Sequence, residues 1–347
     1  MDVFSELQAF IHQSFDGRTK FLEGEFNRLA LNLFSTQFES VPIYRRFCEA
    51  RKVRPDDVRD WSKAPALPTA AFKEFEVSSI SAAERTDVFY SSGTTQENRS
   101  RHIHHAQSLA VYEASLLPWF ERNFKPVPKM KMIFLTPKEA PNSSLVHMFK
   151  VVSQRFAEKE SVFVGYVNAE GSWSIDVDRA LSALEAPQPV AVLGTAFSFV
   201  HLLDHLDAVG ARISLPPGSR VMETGGYKGR SREVPKPQLR AMISKFLGVS
   251  ESNIVTEYGM SELSSQAYEH GGVFQFPPWA KARVVSPETG AEVGEGETGL
   301  LQVFDLANIW SVMAVQTEDL AVRRGAGFEL LGRVAKSEPR GCSLMPE

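Results

Sequence analysis

The chain has 347 residues, of which 43% are hydrophobic and 23% are charged, a composition typical of a globular protein with one large domain or two. Its net charge of -4 excludes a generally basic surface of the kind that binds nucleic acid. No apolar run is long enough for a membrane-spanning helix, and the amphipathic, acidic N-terminus does not resemble a signal peptide. We therefore expect a cytoplasmic protein, and the two cysteines, too few for a disulfide framework, fit a reducing compartment.

The first fifty residues have the spacing of amphipathic helices. Hydrophobic residues such as Leu7 and Ile11 recur at intervals of three and four. Cys48 lies in the last of these patterns and is predicted to be a small buried hydrophobe. The stretch 52–88 contains three prolines and is predicted to be a winding connection. We therefore expect a helical N-terminal segment, 1–88, packed on the main domain.

A run rich in hydroxyl side chains, here called the hydroxyl loop, comes next. It consists of Ser91, Ser92, Gly93, Thr94 and Thr95. Glycine lets backbone N–H groups approach an anion closely, the hydroxyls are further donors, and Arg99 adds positive charge nearby. The run predicts a phosphate-binding loop, although a polar surface turn has a similar composition.

Beyond the hydroxyl loop, short apolar runs alternate with helical patterns. The runs predicted to be buried strands are 132–135, 162–164, 190–193, 220–222 and 254–255. The helical patterns between them include 144–157 and 235–247. This alternation is typical of βαβ units, so we predict an α/β fold with a largely parallel sheet covered by helices.

Three segments that follow these strands combine glycine with hydroxyl, charged or aromatic groups. They are 194–195, 223–229 and 257–262. Ligands of open α/β sheets bind beyond the carboxyl ends of the strands, and glycine there allows close approach to the backbone. Each segment alone could be a helix cap or a tight turn, but the three together favour a nucleotide site.

Four motifs occur in the order and approximate spacing of the adenylate-forming enzymes, which include acyl-CoA synthetases, peptide-synthetase adenylation domains and luciferases. The chain resembles that family at 91–95, 258–262, 317–319 and 332–333. The segments 224–229 and 340–344 resemble more narrowly its acyl-protein synthetase (LuxE-like) branch, the fatty-acid-activating subunit of bacterial luminescence operons. The resemblance implies an adenylate-forming α/β core, 89–332, without the family's usual C-terminal lid domain.

The resemblance implies that the protein activates a carboxylic acid, with fatty acid the implied class. The acid attacks the α-phosphate of ATP and gives an acyl-adenylate and pyrophosphate. Because negative charge gathers on phosphate oxygens, this reaction needs oriented donors and a divalent cation more than an acid–base pair. The acyl group would then pass to Cys342, in a short tail at 333–347, as a thioester for delivery to an acyl reductase.

The resemblance also implies roles for individual residues. The hydroxyl loop would hold the phosphates, Tyr258 would lie against adenine with Gly259 giving room, and Asp319 would accept hydrogen bonds from the ribose. Glu262 would bind Mg²⁺, since that hard cation prefers carboxylate oxygens. Arg333 would reach the ribose or a phosphate. The remaining residues expected at the ATP site are Gly225, Gly226 and Ser261.

These roles have plain structural alternatives. Glu262 and Asp319 could be solvated surface acids, Tyr258 a core residue, and Arg333 a salt-bridge partner. Cys342 could be a stray thiol near a frayed end.

The chain departs from the family pattern in two places. Residues 96–99 replace the glycine, proline and lysine that usually follow the hydroxyl loop, so Arg99 or Arg101 is expected to supply the charge. The family's lid domain carries a catalytic lysine, and Lys228 is the nearest candidate for a cation that replaces it. Arg333 is also assigned to catalysis, because its charge would favour the thiolate of Cys342.

Histidines and aromatic residues supply the candidates for substrate contacts. Phe197 and His201 follow the strand at 190–193 and are assigned to the wall of an acyl pocket. His201 and His205 have a spacing that can bind a metal, but no third ligand is evident. One of the three histidines at 102–105 could touch the adenylate or the carboxylate, and otherwise these are core or solvated groups.

Two other functions remain open at this stage. One is a ligase that transfers the acyl group to coenzyme A or to a carrier protein, with Cys342 incidental. The other is a non-catalytic nucleotide-binding subunit that regulates or scaffolds a reductase, which the expected absence of the lid makes credible.

Overall fold

The computed structural model describes residues 3–14, 19–91, 99–125, 129–169, 171–227 and 231–333. These residues divide into two compact units. The first, here called the split unit, contains the described residues up to Ser115 and from Met260 onward. The second, here called the continuous unit, is Leu116–Gly259. The expected domain boundaries at 88 and 332 stay predictions.

Helices and strands alternate along most of the described chain. The α-helices are α1 (Val3–Gln13), α2 (Thr19–Ser40), α3 (Pro42–Ala50), α4 (Ala71–Glu74), α5 (Ala106–Phe124), α6 (Ser144–Phe156), α7 (Val177–Leu184), α8 (Ala196–Ala208) and α9 (Lys236–Leu247). The strands are β1 (Leu67–Pro68), β2 (Asp87–Tyr90), β3 (Arg101–His104), β4 (Lys131–Phe134), β5 (Val162–Phe163), β6 (Gly165–Val167), β7 (Trp173–Ile175), β8 (Val190–Thr195), β9 (Arg220–Thr224), β10 (Ile254–Tyr258), β11 (Ala267–His270), β12 (Val273–Gln275), β13 (Ala280–Val285), β14 (Thr298–Asp305), β15 (Ala314–Arg324) and β16 (Gly327–Arg333).

The continuous unit contains a parallel sheet with the strand order β10-β9-β8-β4-β5. Every residue of β8 is buried, as expected for a central strand that is covered on both faces. Its helices α8 and α9 bury apolar residues such as Leu203 and Ile243 in the same core cluster as Val192. The predicted α/β fold is confirmed, and so are the five predicted strands and the helical patterns at 144–157 and 235–247.

The split unit contains a set of paired strands that the sequence reasoning did not identify. Its strands are antiparallel and follow the order β13-β14-β15-β16-β12-β11. The short strand β1 pairs in parallel with β15. Strands β2 and β3 form a separate antiparallel hairpin, and the hydroxyl loop lies between them in the chain.

The N-terminal helices belong to the split unit and bury one apolar face each. Leu7 and Ile11 of α1 are buried, as the periodicity predicts. Cys48 of α3 is also buried, and burial raises the pKa of its thiol to about 12. The prediction that Cys48 is a small buried hydrophobe is confirmed, and its thiol stays protonated and unreactive at physiological pH.

Gln37 of α2 attaches the N-terminal helices to the connection between β14 and β15, residues 306–313. Its side chain is 0% exposed. The amide nitrogen donates to the carbonyl oxygens of Asn308 (2.7 Å) and Ile309 (3.1 Å), and the amide oxygen accepts from the backbone N–H of Met313 (2.9 Å). The amide nitrogen and the amide oxygen are both paired with backbone groups, so an apolar residue of similar size would leave those groups without this partner.

We expect Gln37→Leu to lower the free energy of unfolding by about 3 kcal/mol, because three buried backbone groups lose their partner. Urea unfolding followed by tryptophan fluorescence measures the change. The matched control is Ser35→Ala, at an exposed position of the same helix, which is expected to change stability by less than about 0.5 kcal/mol. Equal effects of the two substitutions would contradict this attachment.

Candidate functional site

The base of the hydroxyl loop is closed by two serines of the split unit. The Ser91 N–H donates to the Ser100 carbonyl (3.0 Å), and the Ser100 N–H donates to the Ser91 hydroxyl (2.9 Å). These bonds continue the β2–β3 ladder, in which Tyr90 pairs with Arg101. Ser92, Gly93, Thr94 and Thr95 lie outside the described residues. The described part therefore supports a loop held at its two ends by a hairpin.

Three polar side chains form one row across the carboxyl ends of neighbouring strands in the continuous unit. Thr195 of β8 pairs with Thr224 of β9, which pairs with Glu257 of β10. Residues paired in this way project to the same face of a sheet. The Thr224 hydroxyl donates to a carboxyl oxygen of Glu257, and the Thr195 hydroxyl accepts from the Ser198 N–H and so caps α8 (3.2 Å). The strand-end segments thus meet as the parallel topology predicts.

Glu257 supplies the one carboxyl group of this row. It is buried, and burial raises the pKa of its carboxyl to about 7, with the charge of nearby Glu223 acting in the same direction. The hydrogen bond from Thr224 and the charge of Lys236 oppose that rise. Sequence reasoning included Glu257 in a strand-end segment without assigning it a role. The missed signal is an acidic residue two positions after a predicted buried strand.

The predicted glycine and aromatic positions flank this row. Gly225 follows Thr224 directly and has a φ of 66°, in the left-handed region where glycine is favoured. Gly226 comes next, and Lys228 lies outside the described residues. Tyr258 ends β10 and is buried, while Gly259 after it is exposed. An adenine contact of Tyr258 stays a prediction.

Ser261 and Glu262 lie in the split unit, and both side chains are buried. The Ser261 hydroxyl donates to Oε2 of Glu262 (2.9 Å), and the Asn308 amide donates to the Glu262 carbonyl (2.9 Å). With 4% exposure, Glu262 is not a solvated surface acid. A buried carboxyl beside a hydroxyl offers the oxygen ligands that Mg²⁺ prefers.

Asp305 holds the segment that follows Glu262 and was missed by the sequence reasoning. Oδ2 accepts from the N–H groups of Ser264 and Ser265, each at 2.8 Å. Oδ1 accepts from the Ser265 hydroxyl (2.7 Å) and from the Ala307 N–H (3.0 Å). Burial raises the pKa of this carboxyl, while the four hydrogen bonds act in the opposite direction. The sequence signal is again an acid at the end of an apolar run.

Asp319 and Arg333 are brought together by the pairing of β15 with β16. The two residues are register partners, and Arg333 Nε donates to Asp319 Oδ1 (3.2 Å). Asp319 is 6% exposed, whereas the Arg333 side chain is 70% exposed. The alternative that Arg333 is a salt-bridge partner therefore holds in this structure, although so exposed an arginine contributes little to stability. Their ribose and phosphate contacts stay predictions.

The proposed acyl-pocket residues both lie on α8 in the continuous unit. Phe197 is buried, His201 is exposed, and their ring centroids are 6.1 Å apart. Arg99 is half-buried in the split unit. Cys342 lies outside the described residues.

In the described part of the chain, no helix combines the length and the hydropathy that crossing a membrane requires. Among the same residues, no three His, Cys, Asp or Glu side chains are grouped as metal ligands. Mg²⁺ in phosphate-transfer sites is commonly bound by one or two carboxylates together with substrate phosphates, so the Glu262 carboxyl fits such a site.

Comparison with known proteins gives consistent matches. A family model described as acyl-protein synthetase, LuxE, matches residues 11–346. A "long-chain-fatty-acid--luciferin-component ligase" from Aliivibrio fischeri is 22% identical over 348 residues, covering 92% of this chain and 86% of the relative. The protein of the same name from Vibrio harveyi is 20% identical over 339 residues, with the same coverage of both chains.

Among solved structures, 2-hydroxyisobutyryl-CoA ligase in complex with 2-HIB-AMP and CoA matches with a TM-score of 0.67 and 15% identity. The match covers 90% of this chain and 69% of the ligase. An open conformation of the same ligase gives a TM-score of 0.66 at 14% identity, over 89% of this chain and 75% of that one. At such identities the likeness shows the fold.

We expect Glu257→Gln to stabilise the protein above pH 7. The native carboxyl has a pKa of about 7 against an ordinary value of 4.5, so the native state binds the extra proton and wild-type stability falls as pH rises from 4.5 to 7. Glutamine resembles the protonated form, so the variant should match wild type near pH 5 and exceed it by about 1–3 kcal/mol at pH 8. Urea unfolding at both pH values measures this difference. The control, exposed Glu251→Gln, should show no such divergence.

Proposed function

The chain belongs to the acyl-protein synthetase family, LuxE, and from that membership we propose that it activates a long-chain fatty acid with ATP and transfers the acyl group to its own Cys342. The observation that carries the proposal is the family match, which runs from residue 11 to residue 346 and so includes Cys342. The curated relatives named as fatty-acid ligases support the substrate class.

The proposed reaction has two steps. In the first, a carboxylate oxygen of the acid bonds to the α-phosphorus of ATP, the bond from that phosphorus to the α,β-bridging oxygen breaks, and pyrophosphate leaves. In the second, the Cys342 thiolate attacks the acyl carbonyl carbon, a thioester forms, and AMP leaves. Arg333 is the proposed cation that favours the thiolate, and Lys228 the proposed cation for the adenylation step.

The proposed contacts with ATP come from the residues of the family motifs. The hydroxyl loop and Arg99 would hold the phosphates. The hydrogen bonds between Ser91 and Ser100 support this role, since they fix the start of that loop. Tyr258 would lie against adenine, and Asp319 with Arg333 would contact the ribose. Their ion pair supports this role, since it keeps the Asp319 carboxyl oriented by a donor of the neighbouring strand. Gly225, Gly226, Gly259 and Ser261 would leave room and donors for the nucleotide.

Glu262 is the proposed ligand of Mg²⁺. Its buried carboxyl, oriented by Ser261, suits a hard cation. When bound, the cation would neutralise negative charge on phosphate oxygens. The Asn308 amide donates to the Glu262 carbonyl and so fixes the backbone that carries this carboxyl side chain.

Phe197 and His201 are proposed to contact the acyl chain. The buried Phe197 lies in the first turn of α8, whose start is capped by the Thr195–Ser198 hydrogen bond. The proposed recipient of the thioester is an acyl reductase, and we propose that the protein acts in the cytoplasm.

Intact-mass analysis after incubation with ATP, Mg²⁺ and a long-chain fatty acid tests the proposal. We expect one added acyl group on the wild type and none on Cys342→Ala, with the adduct removed by neutral hydroxylamine as thioesters are. The control is Cys48→Ala, because that thiol is buried and its pKa is about 12. It should keep the adduct.

Exchange of labelled pyrophosphate into ATP, dependent on the acid, reports the first step separately. We expect exchange in wild type and in Cys342→Ala. Exchange without an adduct would overturn transfer to Cys342 and indicate coenzyme A or a carrier protein as acceptor. Absence of exchange in the wild type would indicate a non-catalytic nucleotide-binding subunit.

A further inference from the structure

A buried histidine of β3 connects the hydroxyl-loop hairpin with the Ser261–Glu262 segment, and both belong to the split unit. His102 and His104 lie on the same face of the strand, and their ring centroids are 4.3 Å apart. The His102 ring also packs against Phe72, at 6.3 Å. His102 is 3% exposed. A buried imidazole needs hydrogen-bond partners, and these reveal what His102 holds.

The partner of His102 is a backbone carbonyl. Its Nδ1 lies 2.8 Å from the Ser261 oxygen. A carbonyl oxygen only accepts, so Nδ1 carries the proton and donates. Burial lowers the pKa of His102 to about 4, which keeps the ring neutral at physiological pH. His102 therefore presents one fixed donor to Ser261.

His102 lies close in the chain to the residues that close the hydroxyl loop. Ser100, two positions earlier, exchanges hydrogen bonds with Ser91. On the other side of the contact, the Ser261 hydroxyl donates to Glu262 Oε2. A short chain of bonds thus runs from the hydroxyl-loop hairpin through His102 and Ser261 to the carboxyl of Glu262.

The far end of this chain is fixed independently of His102. Asn308 donates to the Glu262 carbonyl, and Asp305 accepts from the Ser264 and Ser265 N–H groups. The backbone after Glu262 therefore has its own supports, whereas the Ser261 carbonyl just before it is held by His102. Loss of the His102 donor should affect the orientation of Ser261 and Glu262 more than the stability of the whole segment.

We propose that His102 is a positioning residue that couples the β2–β3 hairpin to the Glu262 carboxyl and so orients that carboxyl for Mg²⁺-dependent ATP binding. The inference rests on the proposed ATP and Mg²⁺ roles of these segments. His102 supplies a single neutral N–H donor to the Ser261 carbonyl. A smaller amide side chain can replace that donor only when its nitrogen lies at the position of Nδ1.

The test compares two amides that imitate different ring nitrogens. Asparagine at position 102 places its amide nitrogen near the site of Nδ1, whereas glutamine extends it toward Nε2. The measurement is ATP binding by calorimetry with and without Mg²⁺. This measurement requires no catalytic turnover. His102→Gln and His102→Leu should weaken ATP binding in the presence of Mg²⁺ about tenfold, and His102→Asn should stay within about threefold of wild type.

The matched control is His104→Gln. His104 is buried beside His102, but its Nδ1 lies near the Ser108 hydroxyl (3.2 Å) rather than Ser261. It should lower thermal stability about as much as His102→Gln does while leaving Mg²⁺-dependent ATP binding near the wild-type value. Ser261→Ala, which removes the donor to Glu262 and keeps the carbonyl, provides a second variant if His102→Gln fails to fold, and it too should reduce the gain in affinity from Mg²⁺.

Two outcomes would overturn the coupling. One is unchanged Mg²⁺-dependent binding in folded His102→Gln, or in Ser261→Ala where the glutamine variant fails to fold. The other is equal loss in the asparagine and glutamine variants. A different result would contradict the proposed function itself. That result is a wild-type protein that binds ATP but shows neither pyrophosphate exchange nor an acyl adduct.

Discussion

The split unit depends on hydrogen bonds at the β14–β15 connection, residues 306–313. Asp305, at the end of β14, accepts four hydrogen bonds from groups on both sides of it, which offset the unfavourable burial of a carboxyl. Gln37 binds the same connection from α2. Two further bonds reach it from the segment before β2, where the Ser79 N–H donates to the Trp310 carbonyl (2.8 Å) and the Ser311 hydroxyl donates to the Val77 carbonyl (3.0 Å).

The continuous unit places its polar groups by a different constraint. Parallel strands end at one edge, so Thr195, Thr224 and Glu257 form a row without any need for long side chains to reach each other. The β9–β10 pairing fixes the contact between Thr224 and Glu257, and burial then sets the proton affinity of the carboxyl. Strand register thus determines the contact between Thr224 and Glu257 and, by burying Glu257, contributes to the raised pKa of its carboxyl.

The sequence was sufficient to predict the parallel sheet, because each of its strands is a compact apolar run. It was also sufficient to predict that Thr224 and Glu257 lie at the ends of strands. It was insufficient for the antiparallel sheet, whose strands β14 and β15 contain polar residues such as Gln302 and Gln316 that interrupt an apolar pattern. These two glutamines bond to each other across the strands (2.9 Å), which no local pattern indicates.

The candidate site, like the fold, was predictable from the sequence only in part. Family motifs identified Glu262, Asp319 and Arg333, but not the bonds that Asn308 and His102 make to the Ser261–Glu262 segment, because those bonds are set by tertiary contacts. The bond from Gln37 to Asn308 spans 271 positions, and the bond from His102 to Ser261 spans 159. The burial that shifts the pKa of Glu257 likewise exists only after the sheet has formed.

The β14–β15 connection also limits how this chain can be recombined with its relatives. A turn of eight residues looks like a module that could be exchanged between homologues. Here it is the common attachment point of α2, the segment before β2 and the residues from Glu262 onward. A chimera that replaces the turn alone would inherit mismatched partners at all three places, so a workable crossover must transfer Gln37, Asp305 and Ser264 together with it.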